Sequence, residues 1–307
     1  MRTLRIHGYD AAPAFEEVPV PETGADEVLV RVRAASLNPL DVKLLRGAMR
    51  EFFPLGFPYT MGTDLAGTVE HPGPLGSRWR RGDPVVARLD PTRGGALAEF
   101  VAVPAADLAA VPSAMPLDEA AGIPTAAGTA WQALFEIARL RRGQTVLVHA
   151  GAGGVGSFAI QFARAAGARV IATASGEGIE IARRLGADRV IDYRSERFAE
   201  RVSDTDVVLD TAGGETQQLS FGVLRSGGIL VATTMPPDEA LARAHKVKAA
   251  FVFHRSDGPR LQQVVQAIDR GDLKVLVDRK MTLQEANAGL RHQESGRARG
   301  KIIVSVA

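Results

Sequence analysis

The sequence predicts an α/β chain in which a doubly wound parallel sheet is inserted into a β-rich part. Three observations carry that reading. Up to about Pro112 short β-like runs alternate with Pro and Gly, from Pro116 strands alternate with helices, and a glycine-rich turn joins the first of those strands to the helix after it. At 307 residues the chain has room for two domains of about 100–200 residues each.

In the first part, Val28–Ala34, Leu65–Glu70, Pro84–Leu89 and Leu97–Val103 read as strands of a small barrel or sandwich. The second rhythm opens with a helix over Ala126–Ala138 and continues with strand Thr145–His149, helix Gly156–Ala166 and strand Arg169–Thr173. It goes on through helix Ile179–Leu185, strands Arg189–Asp192 and Asp206–Asp210, helix Thr216–Leu224 and strand Ile229–Thr233. Such alternation implies parallel βαβ units with right-handed crossovers, and Ala249–Phe253 supplies the last strand of a full dinucleotide-binding sheet. Beyond it come a helix over Pro259–Asp269, a strand over Val275–Asp278, a helix opened by a Thr282/Glu285 capping box, and a strand over Lys301–Val306. This tail is too short for a third domain and is expected to return to the first part.

Composition narrows the chemistry. Lys plus Arg number 37 and Asp plus Glu 35, a net charge of +2, so no basic surface points to a nucleic-acid partner. There is no cysteine, which excludes disulfides, thiolate nucleophiles, iron–sulfur clusters and every zinc site built on Cys. The histidines show no metal-ligand spacing. No apolar run reaches the ~18 residues of a membrane span, and the first residues lack the apolar core of a signal peptide. The expectation is a soluble, cytoplasmic protein without a membrane partner.

Gly151, Gly153 and Gly156 match G-x-G-x-x-G after a strand and at the start of a helix. Gly151 permits the sharp turn, Gly153 the approach of a pyrophosphate and Gly156 the close packing of helix on sheet. An empty glycine-rich turn is the plain alternative, and the flanks favour a dinucleotide. An NAD site places a carboxylate about 20 residues on, at the end of the next strand. Here that position reads Thr173-Ala174-Ser175, with no acid before Glu177. Space is left for a 2′-phosphate, with Arg183, Arg184 and Arg194 downstream, so NADPH is favoured over NADH.

Asn38-Pro39-Leu40-Asp41, Gly62-Thr63-Asp64-Leu65-Ala66-Gly67, Gly82-Asp83-Pro84-Val85, Thr129-Ala130-Trp131, the Ala150–Gly156 loop, Leu185-Gly186-Ala187-Asp188, Ile191-Asp192-Tyr193 and Arg299-Gly300-Lys301 follow in order over nearly the whole chain. The series resembles the zinc-independent, quinone-oxidoreductase-like branch of the medium-chain dehydrogenase/reductase superfamily. That resemblance implies a GroES-like β-barrel catalytic domain over 1–114, an inserted Rossmann NADP-binding domain over 115–255, and a segment over 256–307 returning to the first. It implies an active site in the cleft between the domains and a homodimer. The cofactor contacts it implies are Thr129, Gly151, Gly153, Gly154, Val155, Gly156, Ser175, Tyr193, Ala212 and Lys301. Gly178 stands where some relatives carry a Lys, so the NADPH preference is expected to be modest.

Zinc-dependent members place a Cys near Asn38 and a His near Thr63; neither residue here is a good zinc ligand. A metal-free hydride transfer to a quinone, enone or similar activated double bond follows, with a small hydrophobic substrate and hydrogen-bond donors at its oxygen. Asn38 is the first candidate donor, or else it caps the helix at Pro39. Lys43 is a charged donor or a solvated helix residue, and it stands where some relatives carry a Tyr. Tyr59 donates a proton or packs. Trp131 reads as core and His149 as a packed, hydrogen-bonded residue. Phe52–Pro58 is a lid over the substrate or a buried loop, and Phe251 and Phe253 serve a dimer edge or the core. A non-catalytic NADPH-binding sensor and an enoyl-thioester reductase remain the alternative functions.

Overall fold

The structure, a computed structural model, describes residues 1–73, 78–271 and 273–306. It divides into two compact units, Met1–Thr125 with Arg255–Ala307, and Ala126–His254.

The first unit begins with strands β1 (Arg2–Ile6), β2 (Ala14–Glu17) and β3 (Glu27–Leu37), helix α1 (Pro39–Leu45) and strands β4 (Tyr59–Thr60), β5 (Asp64–His71), β6 (Pro84–Arg88), β7 (Phe100–Pro104) and β8 (Leu108–Ala110), then helix α2 (Leu117–Ala120). β3 is the axis. Its inward residues alternate along Val28, Val30 and Val32, and it becomes buried on both faces from Ala34 on. It pairs antiparallel with β5 on one side and with β7 at its start. The small sheet β2-β1-β4 was not foreseen. Its strands are short, and β2 is mostly exposed, so it carries little apolar periodicity.

The chain passes into the second unit within helix α3 (Pro124–Trp131), which runs on into a π turn over Gln132–Ile137; then follow β9 (Thr145–Val148), α4 (Gly154–Ala165), β10 (Arg169–Ala174), α5 (Glu177–Leu185), β11 (Arg189–Asp192), β12 (Thr205–Asp210), α6 (Gly214–Ser220), β13 (Leu224–Ala232), α7 (Glu239–Ala244) and β14 (Lys248–Phe251). Every pairing in this sheet is parallel, in the order β11-β10-β9-β12-β13-β14. The order reverses at β9, and at such a switch point the strands' carboxyl ends part to admit a ligand. One expected boundary moves, and one helix is new. The helix expected to reach Leu224 ends at Ser220, because Phe221 and Val223 turn into the core and Leu224 already belongs to β13. Helix α7, absent from the sequence reading, is nucleated by Asp238, whose carboxylate accepts from the amides of Ala240 and Leu241.

The chain then re-enters the first unit with α8 (Gly258–Arg270), β15 (Val277–Thr282), α9 (Ala286–Glu294) and β16 (Lys301–Ser305). β16 lies antiparallel to β3, with Ile302 opposite Leu37, and parallel to β15. Its Ile302, Ile303 and Val304 are fully buried. Thr282 and Glu285 form the expected capping box, the Thr282 amide and hydroxyl both donating to the Glu285 carboxylate. No helix among the described residues is long and apolar enough to cross a membrane.

Candidate functional site

In the second unit, β9 runs buried to Val148, and the turn after it forms a cradle. Ala150 adopts φ +48°, a left-handed conformation that costs a non-glycine residue energy. Three bonds hold it there. Its amide donates to the Thr173 hydroxyl, its carbonyl accepts from the Gly153 amide, and the next residue, Gly151, donates to the Thr173 carbonyl. Gly156 has to be glycine, since a Cβ there would stand 2.3 Å from the Ala150 oxygen. Gly153 differs: apart from the Ala150 oxygen at 3.2 Å its missing Cβ faces open space. α4 starts without a side-chain cap, and Gly153, Gly154 and Val155 are partly exposed. The first amides of the helix therefore have no intrahelical partner and concentrate positive potential at an open place. These features fit the pyrophosphate of a dinucleotide.

His149 braces this turn. The Ser220 hydroxyl donates to the Thr216 carbonyl, so its oxygen accepts from His149 Nε2 at 2.9 Å, which leaves Nδ1 to accept from the Thr173 hydroxyl at 3.1 Å. Burial lowers the His149 pKa to about 4, against a smaller opposing effect of Asp210. The ring is neutral and packed. At the end of β12, Asp210 accepts from the amides of Ala212 and Gly213 and from Gln217 Nε2. Thr211 donates to the His149 carbonyl, so the loops after β9 and β12 are tied together.

At the carboxyl ends of β10 and β11, Ser175 Oγ donates to Tyr193 Oη at 2.9 Å, and Tyr193 is 55% exposed. The two hydroxyls form an open pair beside the cradle strand. Gly178 is not an open place for a cation: it is buried, and a Cβ there would lie 3.1 Å from Ala152 Cβ. Thr129 is buried on α3, with Trp131 edged against Phe135 and Phe162. Phe251 packs against the core while Phe253 is exposed. A cavity of about 310 Å³ opens at the amino ends of these strands, the far edge from the cradle, and in its wall Asp206 already holds Arg225 and Gln144.

The first unit holds a buried polar cluster at the end of β3. Asn38 Nδ2 donates to Asp64 Oδ2 at 3.0 Å, and Asn38 Oδ1 accepts from Lys301 Nζ at 2.5 Å. Its backbone amide donates to Asp41 Oδ2, in the manner of a capped α1. Asp64 also accepts from the hydroxyl and amide of Thr125, and Thr63 donates to Asp41 Oδ1. Burial raises the Asp41 pKa to about 7, since hydrogen bonding from the Asn38 amide only partly offsets the lost solvation. Burial lowers the Lys301 pKa, with Asp64 and Asp41 opposing. Lys301, expected among the dinucleotide contacts, thus lies 3% exposed beside Asn38.

Lys43 is exposed on α1. Tyr59 is buried, its hydroxyl donates to the Pro91 carbonyl at 2.9 Å, and burial raises its pKa. That is the packing arrangement. The Phe52–Pro58 loop is divided: Phe52 is 65% exposed, while Phe57 meets Tyr9 edge-on.

Residues 24–113 match the family described as alcohol dehydrogenase GroES-like domain, and residues 185–304 match the one described as zinc-binding dehydrogenase. A chloroplastic quinone-oxidoreductase homologue of Spinacia oleracea is 32% identical over 99% of this chain and 98% of its own. The chain belongs to the quinone-oxidoreductase-like branch of the medium-chain dehydrogenase/reductase superfamily. A chloroplastic NADPH-dependent alkenal/one oxidoreductase of Arabidopsis thaliana is 34% identical over 97% of this chain and 76% of its own. The quinone oxidoreductase structure from Coxiella burnetii superposes with a TM-score of 0.91 at 28% identity, covering 100% of this chain and 99% of that one. As a member of this superfamily the chain is an oxidoreductase, and its cradle suits a nicotinamide cofactor. Among the described residues no group of three or more His, Asp or Glu is placed to hold a metal ion. The sequence reading missed Asp41, Asp64 and Thr125 as members of the cluster around Asn38. Asp41 and Asp64 stand in motifs it quoted, but only burial shows what they do.

Proposed function

We propose that this protein reduces quinones, enones or similar activated double bonds with NADPH and without zinc. The observation that carries the proposal is the Asn38 amide. It is buried and held at both ends, and one Nδ2–H has no acceptor among the described residues. A fixed donor of this kind stabilises negative charge developing on a substrate oxygen, because no solvent has to reorganise around it.

When bound, the nicotinamide supplies a hydride. The chain's residues do the rest. Gly153, Gly154, Val155 and Gly156 hold the pyrophosphate, the Ser175 and Tyr193 hydroxyls receive the adenosine 2′-phosphate, and Thr129 and Ala212 line the nicotinamide half. Asn38 donates to the carbonyl oxygen of the substrate, where negative charge collects as the activated double bond is reduced, and water supplies the proton. Lys43 is exposed on α1 and remains a second candidate donor. The zinc-free reading is supported by the donor set: the chain has no thiolate, and Asn38 is already committed to Lys301 and Asp64. Support for NADPH comes from the missing carboxylate at Thr173-Ala174-Ser175 and from the name of the alkenal/one relative. A homodimer and a small hydrophobic carbonyl or quinone substrate belong to the same proposal.

The test is stopped-flow loss of nicotinamide absorbance against a panel of quinones, enals and enoyl thioesters, with and without a chelator. Turnover on quinones or enals that survives chelation is expected. Tight NADPH binding without turnover on any member would indicate a non-catalytic binding protein, and turnover restored only by zinc would defeat the metal-free mechanism.

A further inference from the structure

The two orientations of an asparagine amide have the same shape, and only their partners tell them apart. At Asn38 the partners are charged. The oxygen meets the Lys301 ammonium and the nitrogen meets the Asp64 carboxylate. Turning the amide over would set NH₂ against an ammonium and C=O against a carboxylate where water cannot relieve the conflict. Lys301 is itself tied down: Nζ donates to the Leu37 carbonyl at 3.2 Å and lies 3.7 Å from Asp64 Oδ2. It arrives on β16, where the pairing of Ile302 with Leu37 sets it beside the end of β3.

Strand pairing alone has no use for a cation at this place. Ile302, Ile303 and Val304 already bury the strand with apolar side chains, and a buried ion pair adds little stability over an apolar equivalent. The ammonium does have an effect on the amide. Drawing electrons toward Oδ1 makes the Nδ2 hydrogens better donors, and hydrogen bonds in series strengthen one another in a medium of low polarity.

We propose that Lys301 is a positioning residue: together with Asp64 it fixes and polarises the Asn38 amide, so that the uncommitted Nδ2–H is presented to the substrate oxygen. Lys301 acts through Asn38 and touches neither substrate nor dinucleotide. The inference rests on the reductase reading and on Asn38 as its donor.

The experiment compares wild type, Asn38→Ala, Lys301→Met and the double variant for kcat, KM and NADPH Kd, using a quinone that the wild type reduces. Lys301→Met is expected to lower kcat roughly 10- to 100-fold, part of the 10²- to 10³-fold that losing a whole donor costs. NADPH Kd should stay within about twofold, because Lys301 is not among the cradle residues. In the Asn38→Ala background the second substitution should change kcat no further, whereas a merely structural lysine would slow both backgrounds alike. If Lys301→Met does not fold, Lys301→Met with Asp41→Asn removes a buried anion together with the cation and is read the same way. Wild-type kcat in the Lys301 variant, or losses that multiply with Asn38→Ala, would overturn the proposal while leaving Asn38 as donor. Undiminished kcat in Asn38→Ala would remove Asn38 as the donor, and this inference with it, while leaving the reductase activity in place; a wild type that reduces nothing would overturn the reductase reading itself.

Discussion

Asn38 and Tyr59 stood side by side as candidates in the sequence, and their surroundings separate them. Asn38→Ala should lower kcat about 10²- to 10³-fold with NADPH Kd unchanged. Tyr59→Phe removes a bond to the Pro91 carbonyl and leaves that acceptor buried, so it should cost about 1–3 kcal/mol of stability and no turnover. Parallel steady-state kinetics and urea unfolding of the two variants check both outcomes. A second prediction concerns pH. His149 titrates near 4 when folded and near 6.5 when unfolded, so its stabilising effect is complete above pH 6.5 and is lost as pH falls toward 4, a change of roughly 3 kcal/mol. Asp41 has the opposite sign. Its folded pKa, about 7, lies above the unfolded value, so its contribution is complete at low pH and fades as pH rises toward 7. The two effects partly cancel in the wild type. Relative to it, His149→Gln should lose less stability on acidification from pH 7 to 4.5, and Asp41→Asn should lose more. Urea midpoints of the three proteins that shift in parallel with pH would contradict both assignments.

At the scale of elements, the β9–α4 turn was legible residue by residue. Each glycine answers to a local demand that a pattern of spacing expresses, and Gly153 and Gly156 answer to different ones. Gly153→Val should fold normally and bind NADPH at least about 100-fold more weakly, because its side chain would fill the open cradle. Gly156→Ala should instead destabilise the fold, since its Cβ meets the Ala150 oxygen at 2.3 Å. Thermal denaturation and calorimetric titration of the pair separate the two roles, and equal NADPH affinity in Gly153→Val would remove the loop from the site. The end of β10 shows where spacing misleads. Ala174 and Gly178 are both buried, so a charge placed there would act on folding before it acted on the cofactor. Ser175 is the accessible place. The native protein should prefer NADPH by a modest factor, and Ser175→Asp should reverse the preference by repelling the 2′-phosphate and accepting from the ribose hydroxyls. Dissociation constants of both cofactors for both proteins decide it.

For the whole molecule, the return of the chain's end to the first unit has an energetic consequence. Removing the residues after Leu276 takes away β15 and β16 and with them the fully buried Ile302, Ile303 and Val304. Those side chains contribute roughly 5–9 kcal/mol, comparable with the whole stability of a domain. The truncated protein should fail to fold its first unit, which loss of cooperative unfolding and of near-ultraviolet dichroism would reveal. The sequence by itself determined the α/β class, the order of strands and helices from Thr145 to Phe251 apart from α7, the dinucleotide turn and the capping box at Thr282. Periodicity, glycine spacing and caps act over a few residues, and a few residues suffice to read them. Tertiary structure alone decided that Lys301 meets Asn38 across 263 residues of chain and that Asp64 meets it across 26. It also decided that Tyr59 and Gly178 face inward. Which side chain is buried, and against which charge, depends on strand register between distant segments, and a local pattern carries no record of that register.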